Sequence, residues 1–252
     1  MTLSNESQKF IGNLRAYLLS SGKREQEIDE ITEELEDHLH EAEQSGKSVE
    51  DIIGQSPKEY MKQFEDEMAF DYQWIYKIIP LIYLGAVSYI LIQKVLDEGV
   101  VFTLLELVGY PVIFMIVILS YALTVRYISS HQPGKSKEWL LFGTIGIVQA
   151  GLFIGILFLD DAINSPEFDF GMTGNVIAVI FAVAMFIGMA IWSKVWIPII
   201  LPIILFVPDF LIRFIDVGEP TETILSSSIV LSITLLYFFI LIKIDKTKGT
   251  AA

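Results

Sequence analysis

Cysteine is absent from all 252 residues, and histidine occurs only three times. A disulfide framework, a thiolate metal site and a cysteine nucleophile are therefore excluded. Basic residues are scarce as well, with 17 Lys and Arg against 31 Asp and Glu and a net charge of −14. A chain this acidic lacks the positive surface that neutralising phosphates requires, which argues against direct nucleic-acid binding. There is no serine-centred nucleophile elbow, phosphate-binding glycine loop or dinucleotide fingerprint. His131 is the only histidine beyond residue 73, so a His and Glu metalloprotease set cannot form there. Aspartyl proteolysis within a membrane needs two facing aspartates, and only Asp209 is suitably placed. The expectation is a non-enzymatic protein with no cofactor and no metal.

What the chain does contain is apolar surface. With 53% hydrophobic residues, 19% charged residues and a mean hydropathy of +0.54, it exceeds what one soluble domain of this length could hide. The charges are also uneven, because residues 1–73 hold 18 of the 31 acidic and 7 of the 17 basic residues. That head carries a net charge of −11, whereas residues 74–252 carry −3 and nearly all the long apolar runs. The reading is an all-α protein: a small soluble N-terminal helical bundle over residues 1–70, then a transmembrane domain over residues 71–252. Met1 to Arg24 does not read as a secretory leader, which would follow a basic start with an apolar core, so the head is expected in the cytoplasm.

Within the head, Phe10, Leu14, Tyr17 and Leu18 form one stripe of a helix stopped by Ser20-Ser21-Gly22. Ile28, Ile31, Leu35, Leu39 and Ala42 line a second helix, whose other face is crowded with Glu and Asp and whose end is Ser45-Gly46. Ser48 with Asp51 opens a short third helix that Gly54 closes, and Ser56, Pro57 and Glu59 form the N-cap, first-turn proline and N3 of a fourth. Ile31, Leu35 and Leu39 are the expected core. His38 and Glu34 are four residues apart and could share a metal, but His40 points elsewhere on a helix, so a solvated face is favoured. The run Glu33-Glu34-Leu35-Glu36-Asp37 likewise reads first as a solvated face and second as a strip for a protein partner.

Leu14-Arg15-Ala16-Tyr17-Leu18, Ile31-Thr32-Glu33-Glu34-Leu35-Glu36-Asp37-His38-Leu39 and the stretch Gly46 to Tyr60, with its Gly-Lys-Ser and Ser-Pro-Lys-Glu turns, resemble the HAAS domain. The resemblance covers about a quarter of the chain. It implies an α-helical signalling domain of Gram-positive bacterial membrane proteins, often encoded beside PadR-type regulators, and so a cytoplasmic sensing or protein-interaction module. It brings no catalytic residues.

Six segments are long enough to cross about 30 Å of hydrocarbon. They lie near residues 74–94, 100–128, 138–159, 172–192, 196–214 and 223–243. Pro198, Pro202 and Pro208 keep the fourth and fifth from merging. With the head inside, Lys77, Arg126, Lys135, Lys137, Lys194, Lys243, Lys246 and Lys248 fall on the inner side and only Lys94 and Arg213 on the outer. That bias predicts a multi-pass protein of the cell membrane with both termini cytoplasmic. Gly109-Tyr110-Pro111 should bend the second span, and the prolines the fifth. Gly151 to Gly155 on the third and Ala184 to Gly188 on the fourth should allow close packing within the bundle.

Glu106, Asp209 and Arg213 are charges inside these spans, with Glu106 and Asp209 about 9 Å deep from the outer ends. Snorkelling with one salt bridge is the favoured reading. The functional alternative is an outer-layer polar binding cluster of Glu106, Asp209 and Arg213, extended by Gln149. The leading function is a membrane signalling or regulatory protein whose body reads membrane state or a partner and whose head relays it to a cytoplasmic protein. A small transporter or immunity-type permease with a regulatory head is the alternative. The bilayer and a protein bound by the head are the implied partners; the oligomeric state stays open.

Overall fold

A computed structural model describes residues 3–53, 56–97, 99–212, 214, 221 and 224–237. The described chain is helical apart from one two-stranded ribbon. The head contains α1 (Asn5–Ser20), α2 (Glu25–Gln44), α3 (Val49–Ile53) and α4 (Pro57–Glu67). A π-helical turn (Trp74–Ile78) leads into α5 (Ile79–Asp97), and β1 (Val101–Thr103) precedes α6 (Leu104–His131) and α7 (Lys135–Ile163). After β2 (Glu167–Asp169) come α8 (Gly171–Ser193), α9 (Ile197–Ile212) and α10 (Ile224–Tyr237).

The head helices start and stop where the local chemistry dictates. Ser4 accepts a hydrogen bond from the Ser7 amide at the start of α1, and Ser56 and Glu59 form a reciprocal capping box on α4. Ser48 and Asp51 exchange the same kind of bonds ahead of α3. At the end of α1, the Gly22 amide donates to Leu19 O and the Lys23 amide to Leu18 O, a Schellman closure that requires the left-handed φ of +70° at Gly22. Phe70 packs so closely on Gly22 that any Cβ there would meet its ring. Phe10, Leu14, Leu18, Ile28, Leu35, Leu39 and Met61 form the buried core of these helices, with Ile31 partly buried against it.

The chain divides into two compact units that run across the boundary of charge near residue 70. The first comprises Met1–Pro80 and Thr103–Pro166, so the head helices share a unit with α6 and α7. Here α1 and α4 pack on α6, and α6 packs on α7. Gly109 provides the close approach, since a Cβ there would run into Ile156. The expected GxxxG packing is not seen among the described residues, where a Cβ added at Gly151, Gly155 or Gly188 would meet nothing within 4 Å. The α6–α7 approach uses Gly109 and the Tyr110–Phe153 ring contact instead.

The second unit comprises Leu81–Phe102 and Glu167–Ala252. Tyr89 of α5 packs against Phe186 of α8 and Phe206 of α9. At its loop end the Val100 amide donates to Asn175 Oδ1 (2.7 Å) and the Phe170 amide to Val100 O (3.1 Å). Lys94 donates to Val101 O and lies over the Phe102 ring, so it holds the loop that follows α5.

Among the described residues four helices are long and apolar enough to cross a membrane: Tyr76–Asp97, Leu104–His131, Lys135–Ile163 and Gly171–Ser193. The fifth expected span is the 16-residue α9, with Pro202 and Pro208 inside it, and at the helical rise it covers only about 24 Å. The sixth, near residues 223–243, lies partly outside the described residues; its described part is α10.

Candidate functional site

The residues of the expected outer cluster divide between the two units. Glu106 (α6) and Gln149 (α7) belong to the first, Asp209 (α9) belongs to the second, and Arg213 lies outside the described residues. Glu106 is shallower than the sequence spacing suggests, because α6 begins at Leu104 rather than near Val100. It occupies N3 of α6, accepts from the Thr103 amide (3.1 Å) and thereby closes a capping box, and it also accepts from the Tyr110 hydroxyl (2.6 Å). A carboxylate only 6% exposed is thus held by its own helix start. Nearer the end of α7, Asp160 keeps a buried Oδ1 with no hydrogen-bond partner among the described residues. In the head, His38 Nε2 lies 3.7 Å from Glu34 Oε1, and among the described residues no third ligand-type side chain joins them.

A different cluster joins the head to a span. Arg126 stands 20 residues after Glu106 on α6, so about 30 Å of helix separates the two charges, close to the thickness of a hydrocarbon core. Near the C-terminal end of α6 the Arg126 Nη2 donates to Glu65 Oε2 of α4 (2.5 Å) and to the Tyr17 hydroxyl of α1 (3.3 Å). Tyr17 in turn donates to Glu65 Oε2 (2.6 Å), and its ring lies under the guanidinium at 5.2 Å. Glu65 keeps 15% of its side-chain surface and Arg126 39%, so the pair is partly shielded from water and its charge-assisted bonds are stronger than those of an exposed pair. Burial pushes the Tyr17 phenol above its ordinary pKa and the bond to Glu65 raises it further, while Arg126 pulls it down. The phenol therefore stays a donor across the physiological range.

The chain between the head and α5 is tied down beside this joint. Lys23 Nζ donates to Met68 O (2.7 Å), Lys23 and Phe70 form a β-bridge, and the Asp71 amide donates to Gly22 O (2.8 Å). The turn that ends α1 thus holds the segment that enters the first span.

Residues 89–204 match the family described as HAAS transmembrane region. Over this stretch, just under half of the chain, the protein is similar to that transmembrane region. It takes in α6, α7 and α8, and with them Glu106, Arg126 and Gln149, and ends before Asp209. It lies wholly outside the head residues that carry the HAAS resemblance, so the two indications come from separate parts of the chain. No curated protein and no solved structure matches the chain.

The joint of Tyr17, Glu65 and Arg126 is not apparent from the sequence. Tyr17 reads there as core, Arg126 as one of eight inner charges, and Glu65 as one acid among many. The available signal was that Arg126 is a charge at the end of a long apolar run, where a partner or escape to the interface is needed.

Proposed function

We propose that this HAAS-type membrane protein is a non-enzymatic signalling or regulatory protein in which the cytoplasmic head follows the state of the second span. The observation that carries the reading is the latch of Arg126 with Glu65 and Tyr17, since a rotation or tilt of α6 acts directly on two head helices. In this reading the head is a helical bundle able to fold by itself. Both termini are cytoplasmic, and the exposed Glu30, Glu33, Glu36 and Asp37 of α2 face a protein partner rather than nucleic acid. Single cysteines at Gly134 and Asn164 test the topology, with only Asn164 expected to label with an impermeant thiol reagent in intact cells. Photo-crosslinking from position 36 in native membranes tests the relay. One dominant cytoplasmic product is expected, with a yield that changes in Arg126→Glu. An unchanged pattern would sink the proposal.

A second reading, a small transporter or immunity-type permease with a regulatory head, is favoured by the buried Glu106 and the unpartnered buried Oδ1 of Asp160. Loss of activity in a well-folded Glu106→Gln or Asp160→Asn variant, with crosslinking unchanged, selects it.

A further inference from the structure

Beside the latch, a cavity of about 450 Å³ runs along α6. Met115, Ile116, Leu119, Ala122 and Leu123 of α6 line it, together with Phe70 and Ile79. From Met115 to Arg126 is about 17 Å of helix, all on the hydrocarbon side of the inner charge level. A groove at that depth is open to lipid chains and closed to water-soluble ligands.

Part of its lining is polar and incompletely satisfied. Ser20, Ser21 and Gly22, the turn closing α1, line it together with Arg126. The Ser21 hydroxyl is buried and has no hydrogen-bond partner among the described residues, which is costly unless something supplies one. Arg126 uses only Nη2 toward Glu65 and Tyr17, and among the described residues its Nη1 and Nε make no hydrogen bond. A guanidinium with donors to spare and an unsatisfied hydroxyl, both lining an apolar trough, together match an amphiphile with an anionic headgroup.

We propose that this groove holds one anionic glycerophospholipid of the inner leaflet, its phosphate between Arg126 and Ser21 and one acyl chain along α6 toward Met115. The inference deepens the signalling reading and rests on it for its meaning: the lipid shares Arg126 with the latch, so membrane charge would be what the head reports. Lipid binding itself can be tested apart from the relay.

The experiment uses the full-length protein in nanodiscs of phosphatidylcholine, alone or with phosphatidylglycerol, reading lipid retained by native mass spectrometry and the thermal midpoint. Wild type should retain one phosphatidylglycerol and melt higher in its presence. Ser21→Ala should weaken retention about tenfold, the effect of losing one bond to a charged group. Ala122→Trp fills the groove and should abolish both effects. Leu107→Trp, an exposed position on the same helix outside the groove, should preserve both and shows that a tryptophan on α6 is tolerated. Equal retention by Ala122→Trp and wild type would overturn the proposal, as would no preference for phosphatidylglycerol over phosphatidylcholine. Added inorganic phosphate should not raise the midpoint in phosphatidylcholine discs; full protection by phosphate alone would reduce the site to an anion site without a chain. If retention behaves as expected while crosslinking from position 36 ignores lipid composition, the lipid site stands and the relay falls.

Discussion

The head and the spans use the same aliphatic side chains in opposite ways. In the head Leu14, Leu18, Ile28, Leu39 and Met61 are fully buried. In α6 and α7 only about 6% of the most apolar stretch is buried, and leucines such as Leu119 and Leu157 are some 60% exposed. The head can fold only by removing apolar surface from water, whereas the spans leave theirs for lipid and associate through ring contacts, a glycine approach and helix caps. A residue's hydrophobicity therefore says little about its contribution until its solvent is known.

The sharpest test of this contrast is a matched pair of truncations. Leu18→Ala should destabilise the head by about 3 kcal/mol, because the cavity cannot be refilled, while Leu157→Ala on α7 should change stability by less than about 0.5 kcal/mol. Urea unfolding of the detergent-solubilised protein, followed by hydrogen exchange in each region, separates the two. Comparable losses would mean that α7 packs against something further.

The next effect should come from the boundary between the regions. Glu65→Ala leaves a partly shielded Arg126 without its carboxylate and should cost about 2 kcal/mol, measured as lost protection of α4. Asp29→Ala breaks the equally short but exposed pair with Arg15 and should cost about 0.5 kcal/mol. If the two losses are equal, burial at the joint contributes nothing to the latch.

Caps extend the comparison to helix starts. Ser56→Ala removes a capping box in water and should cost about 1 kcal/mol; Thr103→Ala removes one that is 8% exposed and should lie nearer 2 kcal/mol. Thermal unfolding of the two variants side by side ranks them.

The smallest effect is set by pH. Hydrogen bonds from Ser4 and Ser7 hold the Glu43 carboxyl below its ordinary value of 4.5. A depressed folded pKa means that its stabilisation is present above the unfolded value and is lost as pH falls through the folded one. Hydrogen exchange at the first turn of α1 should therefore quicken below about pH 4 in wild type, and Glu43→Gln should remove that pH dependence. No change in spans is expected over the same range.

Much of the helix pattern was legible in the residues. Gly22 and Gly46 close α1 and α2, Ser56-Pro57 opens α4, and Leu35 and Leu39 fall in the core as the periodicity requires. The start of α6 was misplaced by about four residues because Val101 to Thr103 pairs as a short strand instead of continuing the apolar helix, which moved Glu106 from about 9 Å inside the span to a cap in its first turn. GxxxG promised packing that the described residues do not show, since spacing states where a close approach is possible and not whether a neighbour arrives.

Composition and periodicity by themselves determined that this chain has an acidic helical head and long membrane-crossing helices, because burial from water and immersion in lipid each leave a pattern in neighbouring residues. Only the tertiary structure decided that Tyr17, Glu65 and Arg126 meet, that α1 and α4 lie on α6, and that Ser21 is left unsatisfied beside an apolar groove. These are pairings over 48 to 109 residues of sequence, set by which helix faces dock, and no local propensity encodes them.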